Sequence, residues 1–254
     1  MPSKDCSGAN MTEMIHRGLR RFYKTAQAGC TEDGLFTILL DGKPVRTPAK
    51  RALAVPTLAL AEAVAAEWAA QGEKILPATM PLTRLANTAL DRPTGQKEEV
   101  VAELVRYAGS DHLCYWAQSP DDLVERHKTH WQPILDWATT YLDASFAVIQ
   151  GIVPQPQPHA ALKAVQKALE AMDVFRLTAV HSLAGAFQSV LLALAVDAGR
   201  LDPDQAFTLS QIDETYQIEQ WGEDEEAAER RDAIHEDVRD SAEFLRLSRS
   251  PGLG

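Results

Sequence analysis

The spacing of apolar residues changes along the chain, from a period of two near the amino terminus to a helical period of about 3.6. Phe36–Leu40 and Lys43–Thr47 flank the dipeptide Asp41-Gly42, which readily adopts the positive φ angles of a type I′ turn. This segment is therefore predicted to be a β-hairpin. Pro44 cannot donate a ladder hydrogen bond, which places the second strand at a sheet edge. Arg51–Val55 is expected to add a third strand.

The first helical pattern begins after Thr57, a residue type that often caps the amino terminus of a helix. Leu60 or Ala61 lies on one apolar stripe with Val64, Ala65 and Trp68. A short helix from Pro81 to Ala89 follows, because proline is tolerated in the first turn of a helix.

The rest of the chain has mainly helical periodicity. Pro133 is expected to kink or split one of these helices, and Phe146–Val153 is expected to be a strand. These features predict an α+β fold, with a small β-rich amino-terminal domain at residues 16–92 and a larger all-helical carboxy-terminal domain at residues 93–248. The predicted helices are Gln96–Tyr107, Asp121–Leu142, Ala160–Met172, Val174–Asp197, Pro203–Trp221 and Asp224–Leu247.

Negative charge is concentrated near the carboxy terminus. The chain has a net charge of −11, and residues 202–254 contain 15 of its 36 acidic residues but only 5 of its 25 Lys and Arg residues. An acidic protein is not expected to bind nucleic acid, which requires a basic surface. Two roles remain open for the acidic end: it meets a basic partner, or it keeps the protein soluble.

The apolar stretch Val174–Val196 has the length of a membrane span but contains Arg176, His181 and Gln188. It is therefore predicted to be a buried helix, without stable insertion into a membrane. The chain has three cysteines, an odd number, and no two of them have CxxC spacing. A reducing compartment is expected, without a disulfide framework or a thiolate zinc site.

The sequence contains no phosphate-binding loop, no dinucleotide-binding GxGxxG, and neither an HExxH nor a GxSxG motif. The chain therefore lacks these common nucleotide-binding and catalytic motifs. One enzyme hypothesis remains, a metal-dependent hydrolase that uses His112, His127 and His130. His127 and His130 are three residues apart on a predicted helix, and imidazole is a common zinc ligand.

The segment Ser210–Gly222 combines apolar and acidic positions on one predicted helix. Glu219 continues an apolar stripe close to the carboxy-terminal end, where a negative charge opposes the helix dipole. Either Glu219 reaches solvent, or it faces a partner. Trp221 is expected to end the helix, with Gly222 in the left-handed conformation.

Six segments occur in one order along almost the whole chain, from about residue 20 to about residue 245. They are Arg21–Lys24, Leu40–Pro48, Glu67–Trp68, Met80–Asp91, Ser182–Gly185 and Tyr216–Gly222. Together they closely resemble the assembly chaperone of the F1-ATP synthase α subunit, a family found in mitochondria and α-proteobacteria.

The resemblance implies a β-rich domain followed by a helical domain, and an activity without bond chemistry. Such a chaperone binds the unassembled α subunit and prevents its aggregation until the β subunit replaces it, and this requires no cofactor. The resemblance also implies that acidic residues of the carboxy-terminal helices respond to the partner. We assign this property to Glu214 and Glu219, which with Trp221 are the candidate partner-binding residues. An amino terminus shorter than a typical presequence favours the bacterial cytoplasm, or the mitochondrial matrix for a eukaryotic member.

Overall fold

The computed structural model describes residues 19–92, 96–150 and 155–249. The chain divides into two units, Met1–Asn87 and Thr88–Gly254, and the division falls within one helix. The first unit contains a β-sheet and the second is mainly helical, which confirms the predicted fold class. The domain boundaries given above for residues 16–92 and 93–248 stay a prediction.

The described part of the first unit contains six short strands. They are β1 (Leu19–Arg20), β2 (Ala26–Cys30), β3 (Phe36–Leu40), β4 (Lys43–Pro44), β5 (Ala54–Val55) and β6 (Lys74–Ile75). β3 is the centre of a four-stranded antiparallel sheet, with β2 on one side and β4 and β5 on the other. Asp41 and Gly42 have φ angles of 48° and 79° and form the predicted turn. β4 lies at an edge of the sheet, which confirms the prediction made from Pro44.

Helix α1 (Leu58–Ala69) covers this sheet and begins at the predicted residue. The side chain of Thr57 accepts a hydrogen bond from the backbone N–H of Leu60 at 3.1 Å, which satisfies one of the free donors of the first turn. The helix packs on β2 and β3, and burying each large aliphatic side chain contributes about 1.5–3 kcal/mol. The buried residues of α1 are Leu60, Ala61, Val64 and Ala65.

Charged side chains bind the ends of two helices in this unit. The carboxylate of Glu67 accepts hydrogen bonds from the backbone N–H groups of Leu82 and Thr83, at 2.7 and 2.8 Å, at the start of α2 (Pro81–Asp91). The guanidinium group of Arg21 donates to the carbonyl oxygen of Gln71, just after the end of α1. The negative charge of Glu67 lies at the positive end of a helix dipole, and the positive charge of Arg21 lies at the negative end of another. Both charges therefore stabilise the structure.

The second unit is built around one short apolar helix. Its described helices are α3 (Gln96–Ala108), α4 (Asp121–Leu142), α5 (His159–Glu170), α6 (Val174–Phe187), α7 (Val190–Asp197), α8 (Pro203–Ser210), α9 (Ile212–Trp221) and α10 (Glu225–Ser248). All eight residues of α7 are buried, and α3, α4, α6 and α8 pack around it. Apart from Asp197 at its carboxy-terminal end, α7 is apolar on every side, as expected of a helix at such a central position.

Two predicted helices are each divided in the structure. The segment Val174–Asp197 divides because Ser189 caps α7: its hydroxyl oxygen accepts a hydrogen bond from the N–H of Leu192 at 3.0 Å. The segment Pro203–Trp221 divides at Gln211. In contrast, α4 continues through Pro133, so of the predicted kink or split the split does not occur.

A short parallel strand pair, β7 (Tyr115–Trp116) and β8 (Ile149–Gln150), lies in the helical unit. β8 falls within the strand predicted at Phe146–Val153, whose residues from 151 on lie outside the described residues. Among the described helices, none combines the length and the apolar character needed to span a bilayer.

Candidate functional site

Helix α9 carries all three candidate partner-binding residues, Glu214, Glu219 and Trp221. Trp221 is the last residue of the helix, as predicted, and its surface is 79% exposed. Gly222 follows with a φ of 89° and a ψ of 167°. This conformation favours glycine because of its positive φ, but it is not the left-handed helical conformation that the sequence predicted. Three residues connect α9 to α10, so the Trp221 side chain lies beside a tight corner.

Glu219 forms an ion pair within the chain. Both of its carboxylate oxygens accept hydrogen bonds from the guanidinium group of Arg126 on α4, at 3.0 and 2.6 Å. The hydrogen bond with Arg126 holds the pKa of Glu219 below its ordinary value. The side chain is still 45% exposed, so a partner can reach it. Glu219 therefore reaches solvent and also binds a cation of its own chain, and its contact with a partner stays a prediction.

Three further polar contacts join α9 to α4. The hydroxyl of Tyr216 donates to a carboxylate oxygen of Asp122 at 3.1 Å, and the guanidinium group of Arg126 lies over the Tyr216 ring. Asp213 receives a hydrogen bond of 2.7 Å from His127. In contrast, few apolar residues hold this helix, since only Ile212 and Tyr216 are buried within it. Polar contacts therefore set the position of α9.

The environment of His127 defines its protonation state. Its Nδ1 accepts a hydrogen bond from the backbone N–H of Ala117 at 3.1 Å, so its Nε2 carries the proton and donates it to Asp213. The ring is neutral, only 1% exposed, and stacked on the indole of Trp131 at a centroid distance of 3.9 Å. His127 therefore positions α9 and has no nitrogen lone pair left for a metal ion.

The other two candidate histidines, His112 and His130, also lack the arrangement of a metal centre. The Nε2 atom of His112 lies 3.5 Å from Asp213, and burial is the main cause that lowers the pKa of His112. His130 is exposed. Among the residues that the structure describes, no group of three or more His, Cys, Asp or Glu side chains is placed to hold a metal ion. The alternative of a hydrolase built on His112, His127 and His130 therefore has no structural support.

A cleft of about 470 Å³ opens between α9, the end of α6 and the start of α10, and we call it the α9 cleft. Its apolar lining includes Phe187, Ile218 and Trp221. The ionised side chains on its wall are three carboxylates and one guanidinium group, those of Asp213, Glu214, Asp224 and Arg230. Glu214 and Asp224 make no side-chain hydrogen bond or ion pair within the described chain. The lining of the cleft therefore combines apolar side chains with a net negative charge.

Sequence reasoning missed several residues of this site. Arg126 and Glu219 are 93 positions apart, and Asp213 and His127 are 86 apart, so no local spacing relates them. Asp224 lies in the acidic region at residues 202–254, where no role is assigned to it from the sequence. The predicted residues Glu214, Glu219 and Trp221 do lie on one helix, but Glu219 does not line the α9 cleft. Their role in binding stays a prediction.

Comparisons with protein families and with curated proteins show which known proteins the chain resembles. The family model described as ATP12 chaperone protein matches residues 20–139. The mitochondrial protein atp12 of Schizosaccharomyces pombe is 25% identical over 227 residues, which cover 83% of this chain and 76% of that protein.

Solved structures of bacterial proteins are similar over more of the chain. Atp12 from Paracoccus denitrificans is 41% identical, with a TM-score of 0.86, and the match covers 92% of this chain and all of that one. The Atu1473 protein of Agrobacterium tumefaciens is 42% identical, also with a TM-score of 0.86, over 91% of this chain and 86% of its own. Both the fold and the sequence are therefore shared with these proteins along most of their length.

Proposed function

This chain belongs to the ATP12 chaperone family of ATP synthase assembly chaperones, which are not enzymes, and we propose that its client is the unassembled F1 α subunit. The chaperone covers an adhesive surface of the client and so prevents aggregation until the β subunit replaces it. Before assembly, a subunit exposes the apolar surface that its neighbours later cover. Such a surface associates nonspecifically with other proteins. Masking this surface requires binding alone, without nucleotide or metal.

The observation that carries this proposal is the exposed indole of Trp221 beside the α9 cleft. A tryptophan that is 79% exposed is unusual on a protein surface, and tryptophan is enriched among the residues that dominate binding energy at interfaces. Glu214 lies on the same helix and has no partner within the described chain. We therefore assign direct client contact to Trp221 and Glu214.

Glu219 has a different role in this proposal. It is already paired with Arg126, so a cation of the client must either share the carboxylate or replace the guanidinium group. Because the pair is exposed to solvent, exchange of one cation for another has a small energetic cost. Glu219 therefore attracts cationic groups of the client as the two proteins approach. Such long-range attraction mainly raises the association rate.

The test is co-purification of the full chain with separately purified F1 α and β subunits. We expect stable capture of α but not of β, and suppression of the light scattering that free α develops on dilution from denaturant. Equal capture of α and β would indicate a general interaction scaffold, and capture of neither would refute the proposal.

The location of the chain follows from the same proposal. The relatives include a mitochondrial protein and bacterial proteins. We propose the bacterial cytoplasm, and the mitochondrial matrix for a eukaryotic member.

A further inference from the structure

We infer that the α9 cleft takes one segment of the client in which Lys or Arg side chains flank an apolar residue. This inference rests on the proposed function for the identity of the client, and it adds the chemistry of the segment that is bound. It concerns the cleft wall formed by Glu214, Trp221 and Asp224, which is separate from the Arg126–Glu219 pair.

The apolar part of the segment follows from the lining of the cleft. Ile218 and Trp221 are one helical turn apart on α9, and Phe187 contributes from the end of α6. An aliphatic or aromatic side chain placed there removes water from the Trp221 indole, which is almost fully exposed without a partner. Burial of such a side chain is the main favourable term in protein association.

The cationic part of the segment follows from charge complementarity. The wall carries the carboxylates of Asp213, Glu214 and Asp224 against the single guanidinium group of Arg230. Asp213 is already bonded to His127, whereas Glu214 and Asp224 have no side-chain partner within the described chain. Cations of the client can therefore pair with Glu214 and Asp224 without breaking an internal contact. An acidic segment would meet like charges and be rejected.

The experiment uses a photo-crosslinking amino acid in place of Gln217, an exposed residue that lines the cleft. The full chain is mixed with purified F1 α subunit and irradiated, and the crosslinked peptide is identified by mass spectrometry. We expect one segment of α in which Lys and Arg outnumber Asp and Glu and which contains a large apolar residue. The same crosslinker in place of Glu236, an exposed residue of α10 outside the cleft, serves as the control and is expected to capture no such segment.

Charge reversal in the chaperone gives a second readout. We expect the double variant Glu214→Lys/Asp224→Lys to reduce crosslinking at position 217 about tenfold or more, since two attractive pairs become repulsive. The variant Glu236→Lys changes charge on α10 without touching the cleft, and its effect should stay within about twofold. Unchanged circular dichroism is expected for both variants, because none of the replaced carboxylates has a partner within the described chain.

The outcomes separate the two proposals. If α co-purifies with the chain but position 217 captures an acidic segment, no segment, or a peptide of the chaperone itself, the inference about the cleft is refuted and the proposed function stands. If α does not bind at all, the proposed function fails and the inference fails with it. If the double variant crosslinks as well as the parent chain, the assignment of a cationic segment is wrong.

Discussion

The buried carboxyl group of Asp111 makes the stability of the helical unit depend on pH. Asp111 is completely buried, and it accepts hydrogen bonds from the hydroxyl of Ser189 at 2.7 Å and from the backbone N–H groups of Leu191 and Leu113 at 3.0 and 3.2 Å. Burial raises the pKa of Asp111 from 3.8 to about 6, and the hydrogen bonds limit this rise. The charged form is therefore less favourable in the folded protein than in the unfolded chain.

The magnitude follows from this shift. Each unit of pKa difference corresponds to about 1.4 kcal/mol, so the full contribution of Asp111 is about 3 kcal/mol. Because the folded pKa is the higher one, this stability is fully present below about pH 4 and is lost as the pH rises through about 6. Between about pH 4.5 and about pH 8, the expected loss is about 2 kcal/mol, since unfolded Asp is already largely ionised at the lower pH.

The assay compares the parent chain with Asp111→Asn by urea denaturation at these two pH values. Asn lacks the titration but keeps the shape, so its cost from mismatched hydrogen bonds is the same at both pH values. We expect the stability difference between parent and variant to be about 2 kcal/mol larger at the lower pH. Asp232→Asn, at an exposed position of α10, is the control and should leave the stability within about 0.5 kcal/mol of the parent. A difference that is constant, or larger at about pH 8, would refute the reasoning.

Two further variants test the contacts that α4 makes with α9 and with α8. Arg126→Met removes the hydrogen bonds to Glu219, so we expect the pKa of Glu219 to rise toward its ordinary value, as measured by NMR titration of its side chain. An unchanged pKa would show that the pair does not form in solution. Trp131→Phe removes the hydrogen bond of 2.9 Å to the carbonyl oxygen of Leu209, with an expected cost of about 1–3 kcal/mol in urea denaturation. Trp137→Phe, whose indole N–H has no acceptor within the described chain, is expected to cost less, and an equal loss would contradict the argument.

The sequence predicted elements wherever a local signal determines the backbone. Asp41 and Gly42 adopt positive φ angles because these residue types tolerate them, and Thr57 caps a helix through its own side chain. Strand β2 was missed because Ala26–Cys30 contains no β-branched or aromatic residue, and its strand conformation depends on pairing with β3. The division at Ser189 was missed for a similar reason. Its hydroxyl both caps α7 and bonds Asp111, a residue 78 positions away.

At the candidate site too, local sequence signals predicted a helix end but not the contacts between helices. The position of Trp221 at a helix end was predictable, since an apolar residue followed by glycine is typical of a helix carboxy terminus. The partner of Glu219 was not, because Arg126 lies on another helix and only the packing of α9 on α4 brings them together. The histidines illustrate the opposite error. A spacing that is compatible with metal binding cannot reveal that both nitrogens of His127 are already used.

Some of the segments that resemble the family make structural contacts, and this bears on where client-binding residues should be sought. Glu67 binds the start of α2 and Arg21 binds the end of α1, so their side chains are occupied within the fold. Residues of this kind stabilise the fold, and they therefore give little information about which surface binds a client. A client-binding residue should instead expose a group that the fold leaves without a partner, as Trp221 and Glu214 do. By this criterion Asp224, which belongs to none of the six segments, is a stronger candidate for direct client contact than the paired Glu219.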